Sequence, residues 1–185
     1  LGLKSALVSN LGDDYFGKEC MDALAQEHVD ARYVKTHAGR KTNYHYVLWY
    51  GDERTILIKH ENYPYILPDI AEPRWIYLSS LADESLEFHR AIEEYLWNHP
   101  KVKFAFQPGT FQMKFGKDKL AGIYRRTDVF FCNKEEAQRI LESTEKDIST
   151  LMRMIASLGP KMVAITDGVN GAYAYDGKEA WQMPL

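Results

Sequence analysis

Apolar side chains recur along the chain at spacings that switch between two residues and about 3.6 residues, the periods of strands and helices. Between Trp75 and Thr166 short apolar runs alternate with longer amphipathic segments, which is typical of βαβ units that build a mostly parallel, helix-covered sheet. The predicted strands are Leu3–Ser9, Arg32–Thr36, Lys41–Tyr50, Arg54–His60, Trp75–Ser79, Val102–Phe106, Asp128–Phe131, Met162–Thr166, Ala172–Tyr175 and Ala180–Met183. The predicted helices are Tyr15–His28, Ser85–Asn98, Lys117–Tyr124, Lys134–Leu141 and Ile148–Leu158. The side chains expected to face inward from the first two helices are Phe16, Cys20, Leu24 and Ala25, and then Leu86, Ile92, Tyr95 and Leu96.

The segment 41–60 interrupts this alternation with two strands around the turn-forming residues Gly51-Asp52-Glu53, which predict a hairpin. Its mixture of polar and aromatic side chains predicts a small β-sheet that stands off the main body. Period-2 alternation places Asn43, His45, Val47 and Trp49 on one face, and Thr42, Tyr44, Tyr46, Leu48 and Tyr50 on the other. Asn43 and His45 can together line a polar ligand, although a face open to water is an equal alternative.

Composition and charge exclude several classes of protein. The chain has 26 acidic and 23 basic side chains, a net charge of −3 and no block of five like charges, which argues against a nucleic-acid partner. The longest apolar run, Tyr44 to Tyr50, is far shorter than the roughly 20 residues that span a bilayer. Cys20 and Cys132 are too few and too far apart for a disulfide framework or a metal knuckle. We therefore expect a soluble, cytoplasmic protein.

Three loops carry residues that could do chemistry. The sequence from Gly12 to Gly17 has the form G-x-D-x-x-G between a predicted strand and helix. Asp14 there is either the N-cap of the helix or part of a ligand loop at the carboxyl end of a strand.

The second loop starts at Asn133 and includes Glu136. Asn at an N-cap with Glu three residues later is typical of a capping box. The alternative is that both side chains face a cation or its waters, since oxygen ligands suit Mg²⁺.

The third loop runs from Thr166 to Ala172 and contains Gly168 and Gly171. Glycines let the backbone approach a ligand, so free amides there can hold phosphate oxygens; an ordinary glycine turn is the alternative. No Walker A sequence and no G-x-G-x-x-G sequence is present.

In their order and spacing, these segments resemble the PfkB family of carbohydrate kinases. That family has a V-G-x-D-x-x-G loop, a lid that begins with Thr and contains G-E-R-T, an N-x-x-E motif after a strand similar to D-V-F-F-C, and a T-x-G-x-x-G-A turn. The matching residues here are 9–17, Thr42, Gly51-Asp52-Glu53-Arg54-Thr55, Asn133, Glu136, Thr166, Gly168, Gly171 and Ala172. The sequence His28-Val29-Asp30-Ala31 is also similar to the family's G-V-D-T, so the resemblance covers residues 1–185.

The resemblance implies one kinase domain over residues 1–185 with a lid hairpin at 41–60. Its fold would be ribokinase-like, a three-layer α/β/α sandwich with a mostly parallel central sheet and a small β lid. ATP and Mg²⁺ are the implied cofactors. By position in the family's motifs, the nucleotide would be bound by Asn133, Thr166 and Gly168, and the metal by Glu136. The acceptor would be bound by Asn43, His45, Val47 and Ser80.

The chain also departs from the family's pattern. The family's D-P-N segment is Gln107-Pro108-Gly109 here. The family's Gly-Gly motif with a sugar-binding Asn would precede Leu1, and its D-T-x-G-A-G-D segment with the catalytic Asp would follow Leu185. We therefore expect an internal fragment of a longer protein, without catalytic residues and inactive by itself.

The resemblance implies that the parent protein transfers a phosphoryl group from ATP to a hydroxymethyl group of a sugar. Its partner would be a sugar or sugar-like small molecule, with no nucleic acid and no membrane, and a homodimer could form through the lid. A nucleoside kinase of adenosine-kinase type is the nearest alternative, because Tyr44, Tyr46 and Trp49 could stack on a base. A non-catalytic relative that binds a sugar or nucleotide is another.

Overall fold

The computed structural model describes residues 2–51 and 53–184, so Asp52 of the predicted turn lies outside the described residues. Contacts between residues divide the chain into two units, Leu1–Pro68 and Asp69–Leu185. The strands are β1 Ser9–Gly12, β2 Val34–His37, β3 Tyr44–Tyr50, β4 Glu53–Lys59, β5 Trp75–Leu78, β6 Lys103–Phe106, β7 Val129–Asn133, β8 Met162–Thr166, β9 Ala172–Tyr175 and β10 Ala180–Met183. The α-helices are α1 Tyr15–Gln26, α2 Leu86–Asn98, α3 Thr110–Lys114, α4 Ala121–Arg126, α5 Lys134–Leu141 and α6 Ile148–Ala156.

The first unit contains two small sheets. Strands β1 and β2 pair in parallel, and α1 connects them. Strands β3 and β4 form an antiparallel hairpin in which Tyr44 lies opposite Lys59 and Tyr50 opposite Glu53. The predicted hairpin is therefore confirmed, as a two-stranded sheet separate from the β1–β2 pair.

The predicted strand at Leu3–Ser9 is wrong, because the strand runs from Ser9 to Gly12. Upstream of it, an isolated bridge joins Ala6 to Asp30. Ser9 is three residues after Ala6, but its partner Val34 is four residues after Asp30. The extra residue breaks the ladder, so the apolar run of residues 3–8 does not form a regular strand.

The inward face predicted for α1 is also wrong in part. Phe16 and Leu24 are half-buried, whereas Cys20 and Ala25 are exposed, and Gly17 is the buried residue of this helix. A two-stranded sheet is narrow, so within its own unit the helix buries only the turn that lies against β1. A Cβ at position 17 would come within 2.1 Å of the Gly12 carbonyl oxygen, which explains why glycine is required there.

The second unit is built around a six-stranded sheet with the order β10-β9-β8-β7-β6-β5. Strands β5 to β8 are parallel, and β9 and β10 extend the sheet with antiparallel pairing. Helices lie between successive parallel strands, as the alternating pattern predicts. The α/β class with a mostly parallel sheet is confirmed.

Helices of the second unit bury one face of the sheet. The buried side chains on that face of β6, β7 and β8 are Phe104, Phe106, Phe130, Cys132, Val163 and Ile165. In α2, Ile92 and Leu96 are buried as predicted. The helix predicted at Lys117–Tyr124 is replaced by α3 and α4, which lie on either side of Gly116, a residue with a positive φ of 81°. Among the described residues, no helix is long and apolar enough to cross a bilayer.

Candidate functional site

The carboxyl ends of β5, β6, β7 and β8 lie along one edge of the sheet in the second unit, because these strands are parallel neighbours. Ser80 follows β5, and Gly109 follows β6. Asn133 ends β7 directly opposite Thr166, the last residue of β8. Open α/β sheets bind ligands at this edge. The structure therefore brings four of the sequence-predicted positions, Ser80, Asn133, Glu136 and Thr166, to the ends of neighbouring strands.

Asn133 and Glu136 form the capping box of α5. The Asn133 Oδ1 accepts from the Glu136 backbone N–H at 2.8 Å, and the Glu136 Oε2 accepts from the Asn133 N–H at 2.8 Å. Both residues are half-buried. The capping interpretation is confirmed, and these bonds hold the two side chains at the strand's carboxyl end.

The same two side chains fit a nucleotide-bound Mg²⁺. Such an ion takes most of its ligands from phosphates and water, with one or two protein carboxylates. Glu136 uses one carboxylate oxygen in the cap, and a carboxylate has a second. Over residues 2–51 and 53–184 there is no group of three or more His, Cys, Asp or Glu side chains that could hold a metal by itself.

The turn after β8 has an anchor that the sequence analysis missed. Lys134 Nζ lies 3.2 Å from Asp167 Oδ2, and both side chains are mostly buried. Asn170 Nδ2 donates to the same oxygen at 3.1 Å. The sequence shows a Lys directly after the N-cap Asn133 and an Asp directly after Thr166. Their ion pair could not be predicted from this, because it depends on the pairing of Asn133 with Thr166 in the β7–β8 register.

Backbone amides in this turn are divided between two groups. The amides of Asp167, Asn170 and Gly171 close the turn through bonds to backbone carbonyls. The amides of Gly168 and Val169 take no part in those bonds, and Val169 is 86% exposed. Adjacent backbone amides in a turn can bind an anion; the phosphate contact at Gly168 stays a prediction.

Ser80 is packed against the loop that follows β6. A Cβ added at Gly109 would lie 1.9 Å from the Ser80 Oγ and 2.6 Å from its Cβ. Position 109 must therefore be glycine for the Ser80 side chain to occupy its place. The departure from the family's D-P-N segment thus coincides with a close contact to a predicted acceptor residue.

The three acceptor residues predicted on the hairpin differ in their surroundings. Asn43 binds the backbone of Glu61 through both atoms of its side-chain amide, which closes the base of the hairpin. His45 and Val47 are exposed, opposite Ile58 and Ile56 on the neighbouring strand. His45 is therefore open to a ligand, while Asn43 has a structural role within the first unit.

The start of the hairpin is fixed by the G-x-D-x-x-G loop. Asp14 caps α1 by accepting from the Gly17 N–H at 3.1 Å, and it also accepts from the Thr42 hydroxyl at 2.6 Å. The Thr42 hydroxyl in turn accepts from the Gly12 N–H at 3.0 Å. The bond from Thr42 lowers the pKa of Asp14, so this carboxylate remains ionised. The predicted N-cap is confirmed, and the same side chain anchors the hairpin.

Comparison with known proteins agrees with this arrangement. A family model described as "pfkB family carbohydrate kinase" matches residues 1–185. The chain belongs to the PfkB family of carbohydrate kinases. The family resemblance stated from the motifs is therefore confirmed over the whole chain.

Three relatives illustrate how far the similarity to PfkB kinases extends. The chain is 26% identical over 179 residues to a nucleoside kinase of Methanothermobacter thermautotrophicus, covering 95% of this chain and 56% of that protein. It is 22% identical over 205 residues to an ATP-dependent 6-phosphofructokinase of Thermoanaerobacterium thermosaccharolyticum, covering 97% of this chain and 59% of that protein. The ribokinase structure of Giardia lamblia superposes with a TM-score of 0.81 at 21% identity, covering 100% of this chain and 61% of that one.

These comparisons confirm the ribokinase-like fold. They also show that the chain spans somewhat more than half the length of the curated relatives that it matches.

Proposed function

We propose that the whole protein transfers the γ-phosphoryl group of ATP to a hydroxymethyl oxygen of a sugar. The observation that carries this proposal is the carboxyl edge of β5–β8, where Ser80, Asn133 and Thr166 end neighbouring parallel strands. Membership of the PfkB family supports a kinase, and the edge supplies groups for both the nucleotide and the acceptor.

Phosphoryl transfer depends on in-line positioning and on neutralising charge that spreads over the phosphate oxygens. In the proposed site the Gly168 and Val169 amides donate to phosphate oxygens beside Thr166. Glu136 and Asn133 would hold Mg²⁺ or its waters, and the ion would neutralise part of the charge of the phosphates. The acceptor hydroxyl attacks the γ-phosphorus while the bond to the ADP oxygen breaks, so the alcohol proton is released and ADP leaves.

A nucleoside is the second candidate acceptor. The nucleoside kinase of Methanothermobacter thermautotrophicus matches 95% of the chain. Of the three aromatic residues proposed to stack on a base, Tyr46 and Trp49 are exposed on the hairpin, whereas Tyr44 is half-buried against Phe16. A non-catalytic relative that binds a sugar or nucleotide is the remaining alternative and would release no ADP.

The acceptor class is tested by measuring ADP release from the full-length protein with ATP and Mg²⁺. A panel of sugars with free hydroxymethyl groups and a panel of nucleosides are compared at equal concentration. We expect at least one sugar to stimulate ADP release well above every nucleoside. Stimulation by nucleosides alone would select the second candidate, and no stimulation by any acceptor would exclude both kinases.

Glu136→Gln in the full-length protein is expected to weaken the apparent affinity for Mg²⁺ several-fold. Glutamine keeps an oxygen that can accept from the Asn133 N–H, so the capping box and the thermal stability are retained, while the negative charge is lost. The measurement is turnover across a Mg²⁺ titration. Glu135→Gln, on the exposed side of the same turn, is the matched control and should leave the titration unchanged. Identical curves for both variants would leave Glu136 with its capping role alone.

His45→Ala in the full-length protein is expected to raise the KM for the sugar several-fold and leave the KM for ATP almost unchanged. The imidazole offers a donor and an acceptor on an exposed strand, and losing a hydrogen bond to an uncharged partner costs about 0.5–1.5 kcal/mol. Tyr46→Phe, on the opposite face, is the control and should have a smaller effect. Equal effects of the two changes, or a larger effect on ATP, would contradict the assignment of this face.

Two further proposals concern the whole protein, and the first rests on the hairpin. Its second face carries the exposed side chains of Tyr46, Leu48 and Leu57, an apolar surface that a second copy of the hairpin could cover in a homodimer. The molar mass in solution tests this directly. Cys20 and Cys132 are both free, which agrees with a reducing compartment such as the cytoplasm.

A further inference from the structure

Gln112 in α3 is fully buried, and its side chain makes four hydrogen bonds at the candidate site. The Oε1 accepts from the backbone N–H of Leu81 at 3.0 Å and of Gly109 at 2.7 Å. The Nε2 donates to the Ser79 carbonyl at 3.2 Å and lies 2.9 Å from the Nε2 of His89. A side-chain amide has two donors and two acceptor sites, so this one is completely satisfied.

The orientation of every group in this network follows from the backbone. Backbone N–H groups can only donate, so the Gln112 oxygen must face Leu81 and Gly109, and its nitrogen must face His89. The His89 Nε2 therefore accepts, and its Nδ1 carries the proton and donates to the Ser85 carbonyl at 2.7 Å. Burial lowers the pKa of His89, with a smaller opposing effect from the Ser85 carbonyl, which agrees with a neutral ring.

Two aromatic side chains pack against the ring of His89. Phe106 and Phe115 pack edge-on against its ring, with centroids 6.3 and 5.9 Å away. The ring is 1% exposed. His89 is thus buried against two aromatic rings, with its acceptor nitrogen facing Gln112.

We propose that Gln112, with its amide held in place by the bond to His89, is a positioning residue that holds the loops after β5 and β6 in the arrangement that the phosphoryl acceptor requires. The inference rests on the proposed function, which places Ser80 beside the acceptor. Neither residue touches the acceptor in this scheme.

The hydrogen bonds of Gln112 fix the position of Ser80. Its neighbours in the chain, Ser79 and Leu81, are both bonded to Gln112. The loop packed against its side chain is bonded to the same group through Gly109. Movement of the Gln112 amide would therefore shift the Ser80 hydroxyl. All four hydrogen bonds of this amide go to other residues than those of the turns after β7 and β8, where the nucleotide would bind.

The test uses Gln112→Met, His89→Leu and His89→Gln in the full-length protein. Methionine keeps the size of glutamine and removes all four bonds. In His89→Leu the three loop bonds of Gln112 remain possible, but the bond from its Nε2 to His89 is lost. His89→Gln supplies an acceptor oxygen near the position of the lost Nε2. Gln138→Met is the matched control, since the Gln138 amide donates to the Glu145 carbonyl in the loop between α5 and α6.

Two readouts are compared for each variant. Amide hydrogen exchange at Leu81 and Gly109 reports on the loops without requiring activity, and the KM values for the acceptor and for ATP report on the site. For Gln112→Met we expect about tenfold faster exchange at both amides, the factor for losing one strong hydrogen bond, and a several-fold higher acceptor KM with an unchanged ATP KM. His89→Leu should show a smaller change of the same kind, and His89→Gln should restore both readouts toward wild type.

Several outcomes would overturn the inference. Unchanged exchange in Gln112→Met and His89→Leu would remove the network as the support of the loops. Faster exchange with an unchanged acceptor KM would mean that the network contributes to stability only. An equal rise of the acceptor KM in Gln138→Met would lead to the same conclusion. If the wild-type protein released no ADP with any acceptor, the proposed function would fail, while exchange and direct binding of the sugar panel would still decide whether the network positions a sugar site.

Discussion

Asp128→Ala is expected to lower the free energy of unfolding by about 3–5 kcal/mol, the range for removing one partner of a buried ion pair. The Asp128 carboxylate is 6% exposed and accepts from the Phe104 N–H at 2.9 Å. It also binds Lys161 at 2.8 Å, Lys103 at 3.2 Å and Arg126 at 3.3 Å. Arg126 is itself buried, so the variant would leave a buried guanidinium without its counter-charge. Chemical denaturation of the full-length protein measures the loss.

The pH dependence of this contribution provides an independent check. Burial would raise the pKa of Asp128, but hydrogen bonds from Lys161, the Phe104 backbone and Lys103 outweigh it and lower the pKa from its ordinary value of 3.8. A carboxyl group with a lowered folded-state pKa stabilises the fold above the unfolded pKa and loses that effect as pH falls through the folded pKa. The gap between wild type and Asp128→Ala should therefore be largest above about pH 4 and shrink in stronger acid. Asp22→Ala removes an exposed ion pair with Lys18 and is the control. An equal loss of stability in both variants would contradict the stabilising role of the buried Asp128 carboxylate.

Thr42→Val is the second change with a large expected effect, about 1–3 kcal/mol. Valine has nearly the shape of threonine but removes the hydroxyl that donates to Asp14 and accepts from the Gly12 N–H. Thr42 is 2% exposed, so the Gly12 N–H would be left buried without this partner. Because Thr42 is at the start of the hairpin, we also expect a several-fold higher acceptor KM. Denaturation and steady-state kinetics of the full-length protein measure the two effects.

Thr127→Val is the matched control for this prediction. Thr127 is also fully buried, and its hydroxyl donates to the Ile123 carbonyl at 2.7 Å. That bond is at the carboxyl end of α4, just before β7, and it is far from the hairpin in the sequence. Thr127→Val should cost less stability and leave the acceptor KM unchanged. If the two variants raise the acceptor KM equally, the hairpin anchor has no role in acceptor binding.

Elements with strong local signals could be predicted from the sequence. The bounds of α5, β8, β9 and β10 agree with the prediction, because a capping box marks one of them and apolar runs between turn residues mark the others. The strand at Leu3–Ser9 was wrong because a ladder needs a partner in continuous register, and the register is interrupted between Asp30 and Val34. Local hydrophobicity does not contain that information.

Buried polar residues were the main omission. Asp128 bonds to residues up to 33 positions away in the sequence. Three of the four partners of Gln112 are 23 to 33 positions away, and only Gly109 is near it in the sequence. Both lie in segments with ordinary polar and apolar neighbours, so neither has a local pattern that identifies it as buried. Their burial is favourable only because distant backbone groups supply partners, and the strand order determines which groups those are.

The candidate site lies between these two cases. The order of the motifs places Asn133, Glu136, Thr166 and Gly168 after two strands, and the register confirms that Asn133 and Thr166 are direct neighbours. The ion pair of Lys134 with Asp167 was not predicted, because it depends on how two neighbouring loops face each other. The roles of these residues toward a nucleotide stay predictions.

The central claim, that the carboxyl edge of β5–β8 binds the nucleotide, is tested most directly by hydrogen exchange of the full-length protein with a nonhydrolysable ATP analogue and Mg²⁺. We expect exchange to slow in the segments 133–141 and 166–172 when the nucleotide binds. The amino edge of the same sheet, at residues 99–103 and 126–128, should be unaffected and serves as the internal control. Slowing confined to the amino edge, or no change at 133–141 and 166–172 at saturating nucleotide, would contradict the account.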